Sequence, residues 1–261
     1  MGLTIHYSLK ARGSDARARK LVHALHQTAQ DLPFKQLGPV SELAGPDCEW
    51  EHRQQNDPLR WLLIQASESV ETAQRKVGGA VYSTSYRVLP TRLIAFTTWP
   101  GDGCEEANFG LCQFPAVVET PAGPLKTRLT GWHWGSFCKT QYASDPRCGG
   151  ATNFLRCHLS VIALLDRAKA LRCLDRVSDE GKFWQQRDAA ALVNEIGSWN
   201  EFIAAFGGRL KDLAGDGVEM PISQFPTFEQ LEAAGQDRLP PEMEVLARLL
   251  NRVAKHPAIT Q

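Results

Sequence analysis

The first residues alternate. Over 2–9, Leu3, Ile5, Tyr7 and Leu9 take one side and Thr4, His6 and Ser8 the other, the period-two signature of a half-buried strand. After Gly13 and Ser14 the period lengthens. Ala18, Leu21, Val22, Leu25 and Ala29 recur at helical spacing until Pro33 ends the run. The pattern then predicts a short strand over 40–43, a polar loop over 45–58 and a buried strand over 60–66, RWLLIQA. Stretches rich in β-branched and aromatic residues at 79–88 and 92–99 predict a hairpin about Leu89-Pro90-Thr91. A loop over 100–112 follows, and a second hairpin pairs 116–120 with 125–134 across a Pro-Ala-Gly-Pro turn.

Beyond Thr152 the texture changes. Phe154, Leu155, Leu159, Ile162, Leu165, Ala168 and Leu171 mark a long helix capped by Thr152 or Asn153. Ser198 with Glu201 forms a capping box before a helix over 202–213, and Thr227 with Gln230 a weaker one. Pro240-Pro241 opens a last helix carrying Val245, Leu246, Leu249, Leu250 and Val253. The expected fold is α+β: a mainly antiparallel sheet with an early helix, in a ferredoxin-like split β-α-β start, then a helical C-terminal half. Residues 1–151 form the sheet region and 152–261 the helical region, packed on it as one compact unit.

Composition narrows the function. The 261 residues carry 29 Lys+Arg against 29 Asp+Glu, so no excess of cation suits the chain to bulk nucleic-acid or anionic-membrane binding. The longest apolar run, 161–165, is far short of the ~18 residues a membrane span needs. The N-terminus shows no secretory pattern, and His6 stands where a myristoylation motif wants Ser or Thr. The expectation is a cytoplasmic protein whose seven cysteines stay reduced.

Reactive side chains concentrate in 131–153, GWHWGSFCKTQYASDPRCGGATN. In the preceding strand, period-two geometry puts Lys126, Arg128, Thr130, Trp132 and Trp134 on one face. Cations interleaved with indoles suit a planar or anionic ligand, with Trp132 or Trp134 as a stacking wall. The alternative is that the tryptophans pack under the helices. Gly149-Gly150 leads into a helix whose free N–H groups favour an anion, with Lys139, Arg147, Gln141 and Tyr142 close by. The plain alternative is a loop-to-helix turn. Cys138 lies five residues after His133 and beside Lys139, a cation that would raise its thiolate fraction. As a nucleophile it would need a base such as His133; otherwise it is a buried structural thiol.

Cys104, Cys112, His133, Cys138, Cys148, Cys157 and His158 could supply a zinc site, although the cysteines lack close pairs such as C-x2-C. Zinc is the one cofactor this set admits, and no metal ligand is assigned. Glu105-Glu106 could bring acid to a pocket or stand as solvated loop charges.

A duplicated pattern, His6-Tyr7-Ser8-Leu9 and His158-Leu159-Ser160-Val161, resembles the paired signature of the two-histidine (2H) phosphoesterases. The resemblance implies His6 and His158 as acid and base, with Ser8 and Ser160 as phosphate donors, all on strands facing one cleft. The second copy departs from that pattern by lying in a helical run, where residues two apart diverge by about 200°. The segments MGLTIHYSLK, GWHWGSFCKTQYAS and NFLRCHLSV also resemble a bacterial family to which no activity is attached.

These features point to an enzyme, a hydrolase or transferase acting on a small anionic, phosphate-containing substrate. Its expected anchors are Lys139, Arg147, Gly149 and Gly150, and its chemical groups His133, Cys138 or His6. The alternatives are a non-catalytic binding or partner protein of regulatory or immunity type, and a Cys/His metal-binding protein.

Overall fold

In β1 (Thr4–Ala11) the alternation becomes two faces: Ile5, Tyr7, Leu9 and Ala11 are buried, while His6 and Lys10 are exposed. The computed structural model describes residues 3–71, 75–77, 80–214 and 221–235. Five further strands join β1: β2 (Ser41–Ala44), β3 (Arg92–Phe96), β4 (Phe109–Gln113), β5 (Trp132–Lys139) and β6 (Leu174–Asp179). They form a six-stranded antiparallel sheet in the order β6-β1-β5-β4-β3-β2. Every neighbouring pair is antiparallel, so β1 and β2 run the same way with three strands between them. Helix α1 (Asp15–Gln30) makes that crossover, a split β-α-β wider than the ferredoxin-like start expected.

One face of the sheet is sealed by α1 and α3 (Gly150–Ala170). Helix α1 buries Ala18, Val22, Leu25 and Ala29, the stripe its sequence spacing marks. Beneath the helices the Tyr7 ring stacks on Phe109 at 4.8 Å between centroids, and Phe109 on Phe96 at 6.0 Å. The opposite face is only half covered. The chain from Gly45 onward packs on β2 and β3 and buries Cys48, while helix α2 (Pro58–Ala66) packs against β5 and buries Leu62, Leu63 and Ala66. Strands β3 and β4 are therefore buried on both sides, whereas β5, β1 and β6 keep one open face among the described residues.

Several elements differ from expectation. Residues 60–66 are helical because Asp57 caps the helix, its carboxylate accepting from Leu59 N–H at 2.8 Å, and Pro58 occupies the first turn. The 79–88/92–99 hairpin does not form. Ser85–Val88 pairs with Glu68–Glu71, and β3 pairs with β2 and β4. The loop expected over 100–112 ends in β4. Val117–Thr120 pairs with Gly123–Lys126 as a hairpin, but the strand expected over 125–134 is broken. The chain reverses at Arg128 (φ 59°) and Gly131 (φ 79°) before β5 begins. Helix α4 (Phe183–Gln186) follows β6, and α5 (Ala189–Ala214) starts well before the Ser198 cap, because Asp188 Oδ1 accepts from Ala190 and Ala191 N–H. Helix α6 (Phe228–Gly235) starts after Thr227 as expected. The helix expected after Pro240 lies outside the described residues.

Candidate functional site

The open half-face carries the polar residues of β1, β5 and β6 in rungs. His6 lies between Ser178 and Phe137, Ser8 between Arg176 and Gly135, and Lys10 beside His133. Period-two geometry turns all of these outward, because their neighbours Tyr7, Leu9, Trp132 and Trp134 turn inward. The result is a cleft of about 890 Å³, walled on the α2 side by Glu68 and Leu129. Ser8 Oγ donates to Asp175 Oδ2 at 3.2 Å.

His133 and Glu68 form the wall most suited to proton transfer. His133 Nε2 is hydrogen-bonded to the Thr130 carbonyl, which can only accept. In the neutral ring Nε2 therefore carries the proton and Nδ1 keeps its lone pair. Glu68 enters from the strand Glu68–Glu71, its Oε1 3.6 Å from where a β-carbon on Gly135 would stand, which places the carboxylate directly over that glycine. Burial pushes the Glu68 carboxyl above the usual carboxylate range, with His133 pulling the other way. Glu68, Lys10 and Arg176 escaped sequence reasoning. Lys10 extends the β1 alternation that marked His6 and Ser8, but β6 carried too few apolar residues to reveal a strand, and nothing in the sequence places Glu68 over Gly135.

The remaining predicted residues fall elsewhere. Trp132 and Trp134 are buried beneath the helices, and Trp134 Nε1 donates to the Asn108 carbonyl at 2.9 Å. They build core and leave no stacking wall, since the broken strand turns Lys126 and Arg128 away from them. Cys138, five residues along β5, points to the face opposite His133. Its fully buried thiol donates to the Glu105 carbonyl at 3.2 Å, and desolvation pushes its pKa well up, the reverse of nucleophile activation. Gln141 is buried against Asn200, its Nε2 donating to Asn200 Oδ1 at 3.3 Å.

Lys139 and Arg147 do share a cavity, of about 310 Å³, with Tyr142, Cys104 and Cys148, away from His6 and His133. Lys139 Nζ lies 4.7 Å above the Tyr142 ring. Arg147 is paired to Asp145 through its guanidinium, and its backbone N–H also donates to Asp145 at 2.8 Å. Gly149 and Gly150 give their N–H groups to the Pro146 and Asp145 carbonyls. The expected anion seat is thus satisfied by the chain's own carboxylate and carbonyls.

The second histidine motif lies on α3. His158 is buried, with Nδ1 3.0 Å from Thr140 Oγ1 and Nε2 3.3 Å from Asp179 Oδ2. The order hydroxyl–imidazole–carboxylate resembles a hydrolase triad, yet Thr140 and His158 are fully buried and none of the three lines a described cavity. They join the end of β5, α3 and the end of β6. Ser160 donates to the Arg156 carbonyl at 2.6 Å within the same helix. His6 and His158 therefore occupy different layers and cannot act in one cleft.

Cys157, also on α3, donates to Asn153 Oδ1 at 3.6 Å and accepts from Arg156 Nη2 at 3.3 Å. The neighbouring Cys104 thiol, with help from Arg156, lowers the Cys157 thiol pKa despite burial. Among the described residues no three His, Cys, Asp or Glu side chains gather as a metal would require, and no helix is long and apolar enough to cross a membrane. Compared with protein-family models, curated proteins and solved structures, the chain matches none.

Proposed function

We propose that the protein is an enzyme that hydrolyses or transfers a small phosphate-containing anion in the cleft over β1, β5 and β6. The observation that carries the reading is the meeting of His133, Glu68, Lys10 and Arg176 on one open half of a sheet otherwise covered. Lys10 and Arg176 hold the phosphate by charge. His133 Nδ1 takes the proton of the attacking water or alcohol as its oxygen bonds to phosphorus. Glu68 in its acid form, which burial favours, gives its proton to the ester oxygen as that P–O bond breaks. His6 lies two rungs from His133, roughly 14 Å along the strand, and serves the rim of the cleft rather than the reacting atoms.

Turnover of p-nitrophenyl phosphate and bis(p-nitrophenyl) phosphate tests this. His133→Gln and Glu68→Gln each lower kcat by about a hundredfold or more with folding intact, and Lys10→Ala raises KM. No turnover of either substrate and no phosphate binding at the cleft would refute it. A non-catalytic partner protein is the competing reading, favoured by the exposed Trp61 and Phe137. It requires partner binding that survives His133→Gln.

A further inference from the structure

A second cavity, of about 650 Å³, lies between α2 and β5 and shares Gly135 and Ser136 with the phosphate cleft. Its walls are apolar: Trp61 and Ile64 come from α2 and Phe137 from β5. Trp61 is 61% and Phe137 43% exposed, so two elements present aromatic rings to one cavity instead of burying them.

Its polar lining has one bias. Asn108 is buried, and its Nδ2 donates to Gln65 Oε1 at 2.7 Å and to Glu106 Oε2 at 3.4 Å. Asn108 Oδ1 is buried too, yet has no hydrogen-bond partner among the described residues. Such an orphan acceptor is costly to leave unmade and calls for a partner. Glu105 and Glu106 line the same cavity, and neither is in an ion pair among the described residues. Against these acceptors stand the Ser136 hydroxyl and the Gln65 amide N–H groups, so the carboxylates and Asn108 Oδ1 favour a ligand that brings donors.

We infer that this cavity seats a planar heterocycle bearing N–H donors, of the aminopurine or aminopyrimidine class, stacked on Trp61 and Phe137 with an N–H given to Asn108 Oδ1. A quaternary ammonium has no N–H for Asn108, and an aliphatic ammonium leaves both rings in water. The inference deepens the proposed function and rests on it in one respect: because the cavities meet at Gly135, ring and phosphate belong to one nucleotide-like molecule.

Titration calorimetry on the full chain tests both halves, with adenosine, guanosine, cytidine, adenosine monophosphate, inorganic phosphate, purine riboside and butylammonium as probes. At least one of the three amino-bearing nucleosides binds. Its affinity falls about tenfold or more in Trp61→Ala and is unchanged in Lys10→Ala. Purine riboside, which lacks the amine, binds at least tenfold more weakly than adenosine if adenosine is the ligand. Phe137→Ser gives the same loss as Trp61→Ala and guards against a folding artefact in either variant.

Failure of all three nucleosides to bind overturns the ring seat, and so does equal binding of butylammonium. Equal binding of purine riboside and adenosine overturns the donor requirement. If a nucleoside binds but the monophosphate gains nothing and inorganic phosphate gives no heat, the phosphate reading fails and the ring seat stands.

Discussion

Asp179→Asn isolates what the buried His158 network contributes. The Asp179 side chain is fully buried. Oδ1 accepts from Gly181 N–H at 2.9 Å, Oδ2 from Trp184 N–H at 2.8 Å, and His158 Nε2 sits 3.3 Å from the carboxylate. An asparagine offers one oxygen and one NH2 group. Its amide nitrogen must then face either the Gly181 or the Trp184 N–H, donor against donor. An orphaned buried N–H costs about 1–3 kcal/mol, and the surviving bonds lose roughly 1 kcal/mol on becoming neutral. The expected destabilisation at pH 7 is about 2–4 kcal/mol, a large part of the roughly 5–15 kcal/mol that holds a domain folded.

Urea denaturation followed by tryptophan fluorescence measures it, with the m-value unchanged. The pH dependence adds a second check. Burial alone would raise the Asp179 carboxyl, but His158 and the N–H groups of Trp184 and Gly181 outweigh it and hold the pKa below the usual value. A depressed carboxyl stabilises above its unfolded pKa and loses that contribution as pH falls through the folded one. The gap between wild type and Asp179→Asn is thus full above about pH 5 and narrows below about pH 4. A variant within 0.5 kcal/mol of wild type at pH 7, or a gap that does not change with pH, would refute the argument.

Glu68 behaves oppositely. Its raised carboxyl gives stability that is present below the unfolded pKa and lost as pH rises through the folded one, so Glu68→Gln melts higher than wild type at pH 7 and level with it near pH 3. On the proposed reaction the same variant also loses kcat, so its melting curve and its kcat are expected to move in opposite directions. Native alkylation followed by mass spectrometry labels Cys148, a partly exposed thiol, before Cys48, Cys112, Cys138 or Cys173; early labelling of Cys138 contradicts its burial. Gly103→Ala destabilises by about 2 kcal/mol or more in chemical denaturation, because φ is +79° and a β-carbon would strike the Tyr142 carbonyl.

Local pattern carried the sequence reading furthest where period and partner agree. The β1 alternation, the α1 stripe and the long α3 helix followed from spacing alone, because each buries one face against a single layer. The α+β class followed with them. So did the outward side of β1, which holds His6 and Ser8. The reading failed where one short apolar run fits two structures: RWLLIQA became a helix through the Asp57 cap and Pro58. It failed again where an unbroken strand was assumed through Arg128 and Gly131, and that break is what buries Trp132 and Trp134.

Only the tertiary structure could decide the site. A strand's alternation states which residues share a face but not which face is covered. That depended on the chain from Gly45 onward packing on β2 and β3 and on α2 packing against β5, while the outward residues of β1 and β6 and those of β5 beyond α2 stayed open. It depended equally on Glu68 arriving over Gly135 and Arg176 beside Ser8 through pairings between distant segments, and on α3 carrying His158 into the core. Side-chain chemistry and period are local properties of the chain; juxtaposition and desolvation, which decide what that chemistry can do, come from contacts across more than a hundred residues.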